Sequence, residues 1–284
     1  MEKEIKVYAA WSLDDNVRMN STSGGIFTEL AKEVIGQGYS VVGARYDSKN
    51  TVVHDLIDKV EDIPLLRQSK YVQSDMSGIR EKMKNKKVMF VGSPCQCASV
   101  EADIKIDFVC RGANSPKAYR SYLQMLKSQY NSEIIRVWFK NKTYGWHKFS
   151  TRVDFENGKT YLKDRSQDLY MLGYIRYNLF ILDRCYKCKF KGFPRPADIT
   201  LGDFWGVRKE FDANKGTSLV IINTEKGQEL FDKLDIYKTD STLEEAVRQN
   251  PSIIKPPPKG QKSDLFMTLL DKYPFDECFR RCKL

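Results

Sequence analysis

Short apolar runs alternate with helically spaced segments through the first 130 residues, and that alternation constrains the fold more than any other feature. Ile5–Ala10 reads as a strand. After a polar turn at Asp14, Asp15 and Asn16, residues Ile26, Phe27, Leu30, Ala31, Val34 and Ile35 recur at helical spacing. Gly36 and Gly38 close that helix, as C-terminal glycines do. Tyr39–Tyr46 and Val52–Ile57 read as strands, Ser77–Lys84 as a charged helix, and Lys87–Gly92 as a buried strand ending at a glycine. Ile104–Cys110 is a further strand, and Ser115-Pro116 opens a helix. The middle differs: Ile134–Lys140, Phe149–Phe155 and Lys159–Leu162 alternate like antiparallel strands, with Asn157-Gly158 as a hairpin signal. A helix is expected over 168–180, a strand at Asp198–Leu201, and a strand–helix unit over Gly216–Leu234. The fold expected is α/β (mixed α+β): a partly parallel central sheet flanked by helices, with an antiparallel insertion and a cysteine-bearing loop.

The 284 residues divide into a main domain over 1–250 and a proline-containing linker with a helical tail over 251–284. With 41% hydrophobic and 12% aromatic residues, the chain has enough apolar material for a buried core. No apolar stretch approaches the roughly 18 residues that a membrane span needs, and the N-terminus MEKEIKVYAAW lacks a secretory h-region. Seven cysteines, an odd number, favour free or metal-bound thiols in a reducing compartment over a disulfide framework. A cytoplasmic location is expected. The net charge of +10 is spread along the chain without a zinc-finger spacing or an RNP-like motif, so a nucleic-acid partner is not expected. A solvated basic surface, or recruitment of anionic cofactors or an acidic redox partner, accounts for it.

Three places carry chemistry. Ser21-Thr22-Ser23-Gly24-Gly25 precedes a helix and offers hydroxyls, backbone N–H groups and close approach to a phosphate, although an ordinary capped helix has the same look. Val91-Gly92-Ser93-Pro94-Cys95-Gln96-Cys97 lies where a buried strand ends, the usual ligand position of α/β sheets. There a thiol at a helix start is a better metal ligand or nucleophile. Cys110 ends the next strand, so Cys95 and Cys110 can stand side by side; taken singly, each also reads as a small core residue. Cys185-Tyr186-Lys187-Cys188 sits among lysines after a helix, which suits a metal better than a thioredoxin-like redox pair. Four thiols serve one iron–sulfur cubane or one structural zinc. One pair with two distant singles tilts toward the cluster, because structural zinc sites usually supply two pairs.

The ordered motifs SGGIF at 23–27, SKYVQS at 69–74, GSPCQ at 92–96, CRG and SPK within 110–117, and CYKCKF…DITLGDFWG from 185 to 206 resemble the beta subunit of the coenzyme F-420-reducing hydrogenase and its bacterial relatives. The resemblance covers residues 6 to 250. It implies a flavoprotein carrying FAD and a [4Fe–4S] cluster, with Cys95, Cys110, Cys185 and Cys188 as ligands. Thr22, Ser23, Gly24 and Gly25 become flavin-phosphate contacts, and Ser69, Lys70 and Tyr71 flavin-site residues, with Lys70 steadying negative charge on the reduced ring. Gly202 and Asp203, with Phe204 and Trp205, close the same pocket or form a strand end with an aromatic plug. Cys97 stands where an aliphatic residue is usual, either a bystander or a replacement for Cys95 as ligand, and Arg111 stands where a histidine is common. Many bacterial relatives carry a ferredoxin module that these 284 residues do not include, so either the electron donor is ferredoxin or another separate redox protein, or the sequence is a fragment. Cys278 and Cys282 read as exposed spare thiols, and His54 and His147 as surface or satisfied histidines. The function expected is electron transfer between that donor and a small-molecule substrate, either a deazaflavin coenzyme or an intermediate of surface-polysaccharide synthesis. A homo-oligomer is compatible with this. The alternative is a zinc-stapled protein that binds or processes a nucleotide-sugar without redox activity.

Overall fold

A computed structural model describes residues 5–284; the first four residues of the N-terminal reading lie outside the described residues. Among the described residues there are eleven strands: β1 (Lys6–Ser12), β2 (Ser40–Tyr46), β3 (Val52–Ile57), β4 (Val88–Gly92), β5 (Ile104–Phe108), β6 (Ile134–Asn141), β7 (Ser150–Phe155), β8 (Thr160–Asp164), β9 (Ile199–Asp203), β10 (Ser218–Ile222) and β11 (Ile236–Ser241). Eight of them form one sheet in the order β11-β1-β10-β9-β5-β4-β2-β3, and β6-β7-β8 form a separate antiparallel sheet. The pairs β2–β4, β4–β5 and β5–β9 are parallel. Antiparallel pairs flank them on both sides. The partly parallel sheet with an antiparallel insertion is therefore as the sequence implied.

The central strands are apolar because both faces are covered: in β4, Val88, Met89 and Phe90 are all buried. The helix Ile26–Gly36 lays Ile26, Leu30, Ala31 and Val34 on one face of the sheet, in a core with Val41, Met89 and Ile106. Gly38, at φ +82°, lets its N–H reach the Ile35 carbonyl while Tyr39 N–H reaches Val34, which ends the helix. The helix Pro116–Tyr130 buries Tyr119, Tyr122, Leu123 and Leu126 against the small sheet.

Three expectations need correction. The segment 168–180 is a turn of helix (Leu169–Met171) followed by a π-helical turn (Leu172–Arg176), and it ends there. The buried Asp168 carboxylate caps it, accepting from Met171 N–H at 2.8 Å and from the Tyr122 and Tyr161 hydroxyls at 2.6 and 2.7 Å. Gly173 lies so close to the Phe180 ring that an added Cβ would stand 2.5 Å from it, and the chain must turn to place that ring. Strand β11 had no counterpart in the sequence reading; its half-buried edge residues carry too few apolar side chains to signal a strand. Cys278 and Cys282 are not exposed. They lie on the helix Phe275–Cys282 at 0% and 2% exposure, in the same core as Tyr122, Tyr170 and Phe180.

Candidate functional site

The site grows from the carboxyl ends of the parallel strands. Gly92 of β4 stands opposite Asp107 of β5, and Phe108 opposite Leu201 of β9, so the segments that follow these strands emerge level at one edge. Cys95 leaves β4 in the short helix Pro94–Cys97, and Cys110 follows β5 by two residues. Cys185 comes from the other half of the chain on the short helix Asp183–Tyr186. It is tied alongside by Leu182 N–H to the Ala113 carbonyl (2.9 Å) and by Ala113 N–H to the Cys185 sulfur (3.4 Å). Cys95, Cys110, Cys185 and Cys188 all line one cavity of about 440 Å³, its open mouth included. Burial, reinforced by the Cys185 and Cys95 sulfurs against the pull of Lys191, pushes the Cys110 thiol up to about 12.

Among the described residues no three His, Cys, Asp or Glu side chains converge on a position that could hold a single metal ion. Around one tetrahedral zinc, thiolates stand only about 3.8 Å apart, given Zn–S bonds of ~2.3 Å. A cubane spreads its four thiolates over four different irons, and so over a wider ring. Four cysteines around one cavity supply the number and type of donors that a cluster needs. Cys97 points away, its thiol directed at the Ile106 carbonyl (3.4 Å) and wholly buried, and burial raises its pKa strongly.

A second, larger cavity of about 1450 Å³, again counting its mouth, lies against the first. The two share a wall made by Gln73, Ser93, Cys110, Arg111, Gly112 and Ala113. Thr22, Ser23, Gly25, Ser69, Lys70, Tyr71, Gly202 and Asp203 line this larger space, as do Ile26 and Phe27 at the start of the first long helix. Thr22 Oγ1 accepts from Ser69 N–H at 2.9 Å, which ties the turn at 22–25 to the segment 69–71.

Gly24 is not among the lining residues. Its N–H donates to Ser218 Oγ (2.9 Å) and its carbonyl accepts from Ser12 N–H (2.8 Å), clamping the turn to β1 and β10. A Cβ there would stand 2.4 Å from the Ala10 carbonyl oxygen and 2.8 Å from Ser218 N, backbone atoms that cannot yield. Gly24→Ala is therefore expected to cost roughly 1–3 kcal/mol of stability, read as a lower Tm in thermal unfolding of the cofactor-free protein.

Charged groups that no motif announced brace this wall. The Lys142 ammonium is buried beneath the turn and donates to the carbonyls of Arg18, Ser23 and Lys215 at 2.6–2.7 Å. Lys140, 1% exposed, pairs with Asp203, and its ammonium lies 4.6 Å from the Trp205 ring centre and 4.8 Å from that of Phe149. Trp205 stacks on Trp146 at 4.4 Å, whereas Phe204 is a core residue. Asp107, buried in β5, pairs with Arg195 at 3.0 Å; Asp107 faces the large cavity and Arg195 the thiol cavity. Lys105 and Asp107 alternate with apolar residues in Ile104–Phe108, as in an ordinary half-exposed strand, so no sequence signal marked it.

Lys70 donates to the carbonyls of Leu66 (3.0 Å) and Arg67 (2.6 Å) at the end of the helix Ile63–Leu66, and burial, aided by Arg45, holds it down to about 7. His54 is a satisfied interior histidine, bonded to Val91 O and Ser74 Oγ, and burial holds it down to about 4. His147 is exposed and pairs with Asp212.

A mixed α/β sheet gathers four cysteines and a large cavity at the carboxyl ends of its parallel strands, the usual ligand position of such sheets. The chain belongs to the family described as the C terminus of the coenzyme F420 hydrogenase/dehydrogenase beta subunit, whose model matches residues 85–245. It is thus a redox protein related to the hydrogenases and dehydrogenases. Among solved structures it is similar in fold to a chain of the F420-reducing [NiFe] hydrogenase complex from Methanosarcina barkeri, studied by xenon derivatization. The TM-score is 0.56 at 18% identity, and the likeness covers 98% of this chain and 90% of that one. No curated protein matches the chain. No helix among the described residues is long and apolar enough to cross a membrane.

Proposed function

We propose that the chain is an FAD- and [4Fe–4S]-dependent oxidoreductase that passes electrons between a ferredoxin-like one-electron donor and a small substrate by hydride transfer. The observation that carries this reading is the shared wall between the four-cysteine cavity and the large cavity, with Cys110 belonging to both. Cys95, Cys110, Cys185 and Cys188 would hold the cluster. Thr22, Ser23 and Gly25, with the start of the helix Ile26–Gly36, would take the flavin phosphates, and Gly24 and Lys142 would hold that turn in shape from behind. Ser69, Lys70, Tyr71, Gly202 and Asp203 would line the space that takes the ring. A bound cluster supplies single-electron transfer, and a bound flavin couples it to two-electron chemistry.

Burial weakens the charge of Lys70, and negative charge building up at the wall it lines would favour its protonated form. His54, held neutral by burial, contributes no proton near neutral pH. Arg184, Lys187 and Lys189 are exposed around the thiol cavity, a basic rim suited to an acidic redox partner. The fold neighbour is part of a hydrogenase complex, in keeping with a donor supplied by another chain or with assembly of several copies. The substrate would be a deazaflavin coenzyme or an intermediate of surface-polysaccharide synthesis, and the setting cytoplasmic. Protein purified without oxygen is expected to be brown, with a broad band near ~410 nm, and to release yellow flavin on denaturation. A colourless protein containing one zinc would overturn the redox reading in favour of a nucleotide-sugar protein.

A further inference from the structure

A chain of hydrogen bonds runs along the floor of the large cavity and ends on a cysteine of the thiol cavity. Its direction can be read from one end. His54 Nε2 faces the Val91 carbonyl at 3.2 Å, so that nitrogen carries the hydrogen and Nδ1 is left as an acceptor. Ser74 Oγ, 2.9 Å from Nδ1, must then donate to it. The Ser74 oxygen is free to accept, and Gln96 Nε2 donates to it at 2.8 Å. This fixes the Gln96 amide with Oε1 toward Ser93, where it accepts both the Ser93 N–H (2.9 Å) and the Ser93 hydroxyl (2.8 Å). The Ser93 oxygen lies 3.2 Å from the Cys95 sulfur.

Ser93 thus has one hydroxyl hydrogen and two acceptors within reach. While Cys95 is a thiol, its S–H can donate to Ser93 and the chain is satisfied throughout. A ligating Cys95 has lost that proton and its sulfur can only accept. Gln96 Oε1 keeps the Ser93 N–H bond in either case, so the hydroxyl can rotate away from it without leaving a buried acceptor unpaired. Building on the reading above, we propose that Ser93 is a positioning residue whose hydroxyl turns onto the Cys95 sulfur when that cysteine ligates, and thereby raises the reduction potential of the cluster. The direction follows from charge: reduction adds negative charge to the cluster and its thiolates, and a donor aimed at a thiolate stabilises the more negative state. Ser93 lines both cavities, which puts this adjustment on the side of the cluster that faces the flavin site.

The test is an anaerobic potentiometric titration of the cluster, followed by electron paramagnetic resonance, in wild type, Ser93→Ala and Ser93→Thr. Ser93→Ala should keep its iron and shift the oxidised-to-reduced ratio at fixed potential roughly fivefold toward oxidised. At about 59 mV per tenfold for one electron that is about 40 mV downward. Ser93→Thr, which keeps the hydroxyl, should restore the wild-type value. An unchanged potential in Ser93→Ala overturns the proposal. So does loss of iron from Ser93→Ala, which would make the serine a requirement for ligation instead of a tuning group. A wild-type protein that carries no cluster at all would instead bring down the functional reading on which the proposal rests.

Discussion

Cys188→Ser is expected to abolish iron–sulfur loading, and Cys278→Ser to leave it intact. Cys188 lines the thiol cavity with Cys95, Cys110 and Cys185, so its loss leaves three thiolates for a group that needs four. Serine is a poor substitute for a soft thiolate ligand. Cys278 packs in the aromatic core beneath the tail, with its sulfur directed at the Tyr273 carbonyl, and does not line that cavity. Cys97→Ser belongs with Cys278→Ser, because its thiol points into the core behind β4 and β5. Iron and acid-labile sulfide per chain, measured after anaerobic purification, should fall from about four to near zero only for Cys188→Ser. Equal loading in Cys188→Ser and Cys278→Ser would show that the ligand set is wrong.

Lys140→Met should be among the most destabilising single changes outside the apolar core. Lys140 is buried, and its partner Asp203 is mostly so, with Oδ1 lacking any hydrogen-bond partner. Removing the ammonium leaves a carboxylate in the cavity wall without its counter-charge, at a cost of about 3–5 kcal/mol. At roughly 2–4 °C per kcal/mol for a chain of this size, Tm should fall by about 6–20 °C. Lys140→Met/Asp203→Leu removes both charges and should recover at least half of that loss. The non-additivity, read from a double-mutant cycle by thermal or denaturant unfolding, isolates the pair. Strictly additive losses would mean that Lys140 stabilises through its contacts with Phe149 and Trp205 and not through Asp203.

Cys188 and Lys140 also mark where reading the sequence succeeds and where it stops. The strand–glycine–Ser-Pro-Cys pattern at 88–95 and the spaced apolar residues at 26–35 place their elements because local patterning and tertiary burial agree there. The convergence of Cys110 and Cys185 was legible from the count of four thiols and from the resemblance, not from any local rule, since the two lie 75 apart in the chain. Lys140 was not legible at all. It sits in β6 where the register with β7 slips between Trp138 and Asn141, and its φ of +56° swings the side chain toward Asp203. A register slip of this kind depends on the partner strand and leaves no mark in the sequence. Lys142 stayed hidden for a related reason: its partners are backbone carbonyls, which every residue carries. The tail thiols misled because a helix rich in charge, as Phe275–Cys282 is, still buries one narrow face.

The most direct test of electron flow from the thiol cavity to the large cavity is anaerobic stopped-flow mixing with a reduced ferredoxin, following the bleaching of bound flavin in wild type and in flavin-loaded Cys188→Ser. Wild type should bleach rapidly, and Cys188→Ser should not bleach above background, although a small chemical reductant still reduces its flavin. Equal bleaching rates with ferredoxin in the two proteins would contradict a path through the four cysteines.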